Sequence, residues 1–153
     1  QIQVGTPIGR FGKEHMLTME QVRRVAEFIA KARVKCKGKI EVIAADCIGY
    51  FSDLKLRDKP WAGCNAGLCL MSVASNGDVK GCLSMPDSKI QGNVREKSLK
   101  EIWKNSFQSA RNLDLRKLKG KCRNCKKKRQ CRAGCKTLSN AMGDEHEFPF
   151  CLR

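Results

Sequence analysis

The sequence is short of acidic side chains. Fifteen Asp and Glu stand against 31 Lys and Arg, a formal net charge of +16, and so large an excess on a small chain calls for anionic partners or bound anionic groups. Aromatic side chains are also scarce, at 6%, and none of them falls in the most basic stretch, which argues against recognition of nucleic acid by base stacking. No apolar run approaches the ~20 residues of a membrane-crossing helix, so a helical membrane protein is excluded. No basic, apolar, small-residue leader opens the chain. Its first residue, Gln1, leads to the expectation that these residues are a piece or a processed form of something longer.

Cysteine is abundant. Ten cysteines in 153 residues exceed what packing uses, yet fall below the ~8–10% of short secreted disulfide scaffolds. Metal ligation is therefore the first reading, while the even count leaves disulfides open. The length allows one ordinary domain or two small ones.

Along the chain, Gln1 to Val4 alternates like the end of a strand before Thr6, Pro7 and Gly9 break it. Thr18 with Gln21 forms a capping box, and Val22, Val25, Ala26, Ile29 and Ala32 follow at helical spacing, which predicts a helix ending near Lys37-Gly38. Ile40, Val42, Ile43 and Ala44 then read as a short buried strand. Strand, helix and strand make a parallel crossover too small to close a core alone. A polar linker around Tyr50 to Pro60 sets the expected boundary between residues 1–60 and 61–153. Beyond it, Leu68 to Ser75 and Asp78 to Leu83 flank Asn76-Gly77, a predicted two-residue hairpin turn. Ser98 with Glu101 is a second capping box, starting a helix with Leu99, Ile102, Trp103 and Phe107 on one face. The rest is dominated by Lys, Arg, Cys and Gly, so crosslinks are expected to replace a hydrophobic core there.

The cysteine spacing is Cys64-x4-Cys69-x12-Cys82, a spacer of 39, then Cys122-x2-Cys125-x5-Cys131-x3-Cys135, and 15 residues to Cys151. Eight cysteines make two sets of four, a number that suits Zn²⁺ and [4Fe–4S] alike. Structural zinc usually takes two short pairs, whereas here one short pair precedes two single cysteines, a habit of two-cluster iron–sulfur proteins. Cys36 and Cys47, outside these sets, are expected to pack as small apolar side chains.

These residues resemble the SPASM domain, the C-terminal extension of many radical S-adenosylmethionine enzymes. Its pattern is met by Cys64, Gly77, Cys82, Cys122, Cys125, Cys131, Cys135 and Cys151, with further likeness in Cys64-Asn65-Ala66-Gly67, Gly92-Asn93-Val94, Ser98 to Trp103, Gly143-Asp144 and Pro149-Phe150-Cys151. The resemblance implies an α+β fold: the terminal βαβ of a partial (β/α) barrel over residues 1–60, then a small cysteine-rich domain with a hairpin and helices over 61–153. It implies two auxiliary [4Fe–4S] clusters, one on Cys64, Cys69, Cys82 and Cys135 and the other on Cys122, Cys125, Cys131 and Cys151. Cys69 lies outside the minimal seven-cysteine pattern. Two clusters of net charge about −2 each would bring the +16 of the chain to about +12, and Lys126, Lys127, Lys128, Arg129 and Arg132 beside them would raise their potentials.

Such enzymes also need a Cys-x3-Cys-x2-Cys run to bind S-adenosylmethionine on a third [4Fe–4S] cluster, and this sequence has none. The catalytic cluster is therefore expected in an N-terminal region not present, with this piece non-catalytic alone. The resemblance further implies a cytoplasmic maturase with a peptide or protein substrate and an external electron donor, relaying electrons through the auxiliary clusters. Sulfatase-maturating members carry an Asp after the hairpin cysteine, whereas here Leu83 follows Cys82, so thioether, carbon–carbon or other crosslinking stays open. Two alternatives compete: a zinc-stapled basic module binding nucleic acid through phosphates, and a basic secreted protein with five disulfides.

Overall fold

The computed structural model describes residues 1–45, 47–48, 53–58 and 63–153. Of the expected linker, Tyr50, Ser52, Lys59 and Pro60 lie outside the described residues. The fold is mixed: helices and one small antiparallel sheet.

The first long element is α1, Met19–Lys35. The Thr18 hydroxyl accepts the Gln21 N–H at 3.2 Å, and the Gln21 side chain accepts the Thr18 N–H at 2.8 Å, so two of the four free N–H groups of the first turn are satisfied reciprocally. Val22, Ala26 and Ile29 are fully buried on the inward face. Gly38, at φ +79°, turns the chain back. Residues 1–4 and 40–44 then meet in parallel, but at a single bridge between Ile2 and Ala44. The Ile2 N–H donates to the Ile43 carbonyl at 2.9 Å and the Ala45 N–H to the Ile2 carbonyl at 2.8 Å. The expected crossover is present in this reduced form, and Ile40, expected to be buried, stays 65% exposed.

The sheet has three strands in sequence order: β1, Ser72–Val73; β2, Asp78–Lys80; and β3, Gly92–Asn93. The hairpin stands where the sequence predicts it, with a different turn. Gly77 alone of the Asn-Gly pair has positive φ (+92°), and its N–H donates to the Ala74 carbonyl at 2.9 Å. The loop is thus three residues, a tight turn followed by a left-handed glycine, which is the next commonest hairpin solution. Val79 of β2 is buried against Ile102 of α2, Leu99–Asn105, and against Phe107. The Ser98 and Glu101 capping box forms as predicted, but Leu99 turns outward and is 41% exposed.

The tail buries more than its composition promises. Leu118, Leu138, Phe148, Phe150 and Leu152 are at most 7% exposed, and they join Val4, Val22, Ala26, Ile29 and Ile48 in one apolar cluster that runs across the expected boundary. The expectation of a tail without a core is corrected: its last residues alternate in burial, with Phe148, Phe150 and Leu152 inward. No helix among the described residues is long and apolar enough to cross a membrane.

Candidate metal centres

All ten cysteines are free thiols. Eight of them line two pockets, seven from the sets expected above and the eighth Cys47, and the two pockets are built differently.

Cys122, Cys125, Cys131 and Cys151 line one pocket together with Lys121, Lys128 and Arg153. Cys122 sits in α4, Gly120–Arg123, and Cys131 ends α5, Lys128–Cys131; α3, Gln108–Arg111, lies upstream. The last thiol, Cys151, is brought in by contacts of the residues before it. The Lys119 N–H donates to the His146 carbonyl at 3.1 Å, the Lys121 N–H to Glu147 Oε1 at 3.2 Å, and Lys119 Nζ reaches Asp144 Oδ2 at 2.9 Å. These contacts lay residues 144–147 along the start of α4. Burial of Phe148, Phe150 and Leu152 on the inner face then presents Cys151 on the other.

Cys64, Cys82 and Cys135 line the second pocket, with Cys47, Thr6, Asn65 and Thr137. Cys64 follows Gly63, Cys82 follows β2, and Cys135 caps α6, Lys136–Ala141. Cys69 does not line this pocket; it is exposed in the turn between Ala66 and Leu70. Cys47, expected to be a packing thiol, is indeed 4% exposed, yet its side chain borders the pocket, a role the sequence reading missed. Its spacing carried no signal, because the approach is made by the chain's return past residues 1–4.

One loop divides the two sets. Arg132, Ala133 and Gly134 all have positive φ (+55°, +60° and +70°), a left-handed stretch that costs about 1–2 kcal/mol at each non-glycine position. It reverses the chain between Cys131 and Cys135, so cysteines with only three residues between them face different pockets. The buried Ser139 hydroxyl holds the loop by donating to the Ala133 carbonyl at 3.2 Å. The Arg132 guanidinium donates to the Ala110 carbonyl. A Cβ at Gly134 would lie 2.3 Å from the Phe148 ring.

The electrostatics suit a bound cationic metal core. Burial raises the Cys122 thiol, and it pushes Cys131 and Cys135 up to about 11, with neighbouring cysteines adding to each shift. Such thiols keep their protons until a metal supplies compensating positive charge, at which point they ionise outright. At the first pocket, sulfur already accepts donors: Arg153 Nη1 approaches Cys125 Sγ at 3.3 Å and the Lys127 N–H at 3.4 Å. A donor set of thiols, apolar walls and N–H groups aimed at sulfur fits an iron–sulfur cluster. Among the described residues, no three His, Cys, Asp or Glu side chains are drawn tightly enough together to ligate one ion.

The chain is similar to several known proteins. Residues 64–126 match the SPASM model, described as an iron–sulfur cluster-binding domain. Over 92 residues the chain is 36% identical to the AdoMet-dependent heme synthase of Methanosarcina barkeri (strain Fusaro / DSM 804), an alignment covering 59% of this chain and 26% of that protein. Among solved structures, SuiB of Streptococcus suis superposes with a TM-score of 0.64 at 17% identity, over 99% of this chain and 38% of its own. Native anSMEcpe with bound AdoMet and Cp18Cys peptide gives a TM-score of 0.52 at 18% identity, over 95% of this chain and 41% of its own. At these identities the structural likeness speaks for the fold. The chain spans about a quarter of the length of the curated relative.

Proposed function

We propose, for a chain that carries a SPASM iron–sulfur cluster-binding domain and has the fold of the C-terminal region of radical S-adenosylmethionine enzymes, that it binds two auxiliary [4Fe–4S] clusters and serves as their electron-relay and substrate-side module. The observation that carries this reading is the convergence of Cys122, Cys125, Cys131 and Cys151 on one pocket. The second cluster belongs to Cys64, Cys82 and Cys135 with a fourth ligand, for which Cys69 is the candidate from the family pattern. When bound, such clusters accept and pass single electrons. The protein's part is to hold the thiolates, exclude water behind Phe148 and Phe150, and aim Arg153 and the Lys127 N–H at sulfur.

In the parent protein, S-adenosylmethionine and a third cluster belong to the missing N-terminal region, residues 1–60 close its partial barrel, and residues 61–153 form the cluster domain. The substrate we favour is a peptide or protein, with reducing equivalents from an external donor. The excess of cations suits an acidic segment. Free thiols persist in a reducing compartment, and we place the protein in the cytoplasm. A second substrate reading, a tetrapyrrole, is favoured by the name of the 36% identical relative; its carboxylates would answer the same positive charge.

The test is anaerobic purification. Brown protein with about four irons and matching sulfide per auxiliary cluster, beyond those of the catalytic cluster, supports the reading. Colourless protein with two zinc ions per chain replaces it with the zinc-stapled module. Titration of the intact protein with a porphyrin and with candidate precursor peptides separates the two substrates.

A further inference from the structure

Resting on the cluster-binding reading above, we infer that Cys47, not Cys69, is the fourth ligand at the pocket of Cys64, Cys82 and Cys135. Four thiols border this cavity, and Cys47 is one of them. Cys69 does not line it; it is exposed in a turn whose backbone is pinned to Asn65, its N–H donating to the Asn65 carbonyl at 3.2 Å.

Cys47 is also held in place as a ligand needs to be. The Ala45 N–H donates to Ile2, the Ile48 N–H closes a turn on the Ala45 carbonyl at 3.1 Å, and Arg57 Nη2 donates to the carbonyls of both Ala45 and Ile48. The thiol itself donates to the Val4 carbonyl at 3.4 Å, a weak bond that a metal replaces when the proton leaves. A buried thiol fixed from both sides meets the geometric demand of ligation with little loss of freedom, whereas an exposed turn residue must be reoriented first.

The assignment has a consequence for architecture. With Cys69 as ligand, the cluster crosslinks residues 64–135 only. With Cys47, it ties the crossover segment to the cysteine-rich domain, so that the metal sets the position of one against the other.

The experiment compares Cys47→Ala, Cys69→Ala and Cys36→Ala in the intact protein, purified and reconstituted without oxygen. Iron and acid-labile sulfide are measured with electron paramagnetic resonance of oxidised and reduced samples, and circular dichroism monitors folding. Cys47→Ala should lose about one iron or one whole cluster, or show the signal of a three-iron cluster, while the other two variants match wild type. A Cys47→Ser variant retains iron with an altered reduced spectrum, a change that lost packing cannot produce. The assignment is overturned if Cys69→Ala loses the cluster and Cys47→Ala keeps it, if both lose it, or if neither does. Wild-type protein without iron defeats the cluster-binding reading instead, so the two failures are distinct.

Discussion

The two thiol pockets differ in how their cysteines are gathered. One takes Cys122, Cys125, Cys131 and Cys151 from a single stretch of the tail and frames them with Lys121, Lys128 and Arg153. The other draws Cys64, Cys82 and Cys135, with Cys47, from segments far apart, and its other walls include the uncharged Thr6, Asn65 and Thr137. A cluster in the first would be a local staple whose assembly costs little loop closure, and one in the second would be a long-range crosslink whose assembly waits on the rest of the fold. The lesson is that equal numbers of cysteines are gathered for different structural work: one set comes from a single segment, the other from several segments brought together by the fold.

The sharpest way to break the distinction is at the loop that creates it. Gly134→Ala places a methyl into the Phe148 ring from a left-handed position, so both pockets should fail together, with loss of most auxiliary iron and of soluble protein; iron analysis and melting measurements read this directly. Next in size, Cys131→Ala should remove one cluster and unfold the tail, because metal binding and folding are coupled there. Retention of full iron and an unchanged melt would falsify the assignment of Cys131 to the local staple. Amide exchange should lose protection over 119–153 first, with α1 keeping its own.

A third effect is set by pH. Cys131 and Cys135 stand at about 11 in the fold against an ordinary 9.0. Between these values the unfolded chain releases protons that the folded one keeps, so the stability of the metal-free chain is full below pH 9 and falls as pH rises through 11. Thermal melts of chelator-treated protein from pH 7 to 11 should decline only over the upper part of that range. Metal-loaded protein, with its thiolates already ionised, should show no such step.

Smaller still, Arg153→Gln removes a donor to Cys125 Sγ and should lower the reduction potential of one auxiliary cluster while leaving the other unmoved; redox titration followed by electron paramagnetic resonance checks this. The smallest change is expected at Ser98→Ala, which removes a helix cap remote from both pockets. A loss of about 1 kcal/mol in stability, seen in denaturant melts with iron content unaltered, would set the baseline against which ligand effects are judged.

Short-range rules made several features legible. Both capping boxes, the buried stripe of α1 and the place of the hairpin follow from neighbours within four residues, and each forms as expected. The hairpin turn differed because a left-handed Gly77 satisfies the strand twist one residue later than the Asn-Gly pair suggested. The tail core was written in the alternation of Phe148, Phe150 and Leu152, but a basic composition hid it. β3 was missed because two residues, Gly92 and Asn93, hold no periodic pattern.

By itself the sequence determined the kind of chemistry on offer, a set of closely spaced thiols, and it determined the helix starts, which are decided by the residue at each cap. Only the tertiary structure decided which thiols share a pocket. The left-handed turn at Arg132, Ala133 and Gly134 sends Cys131 and Cys135 apart, and the return of Ala44 and Ala45 past Ile2 carries Cys47 inward. Spacing along a chain constrains partners only while the path between them is short and regular, and beyond that the packing of other segments chooses which groups meet.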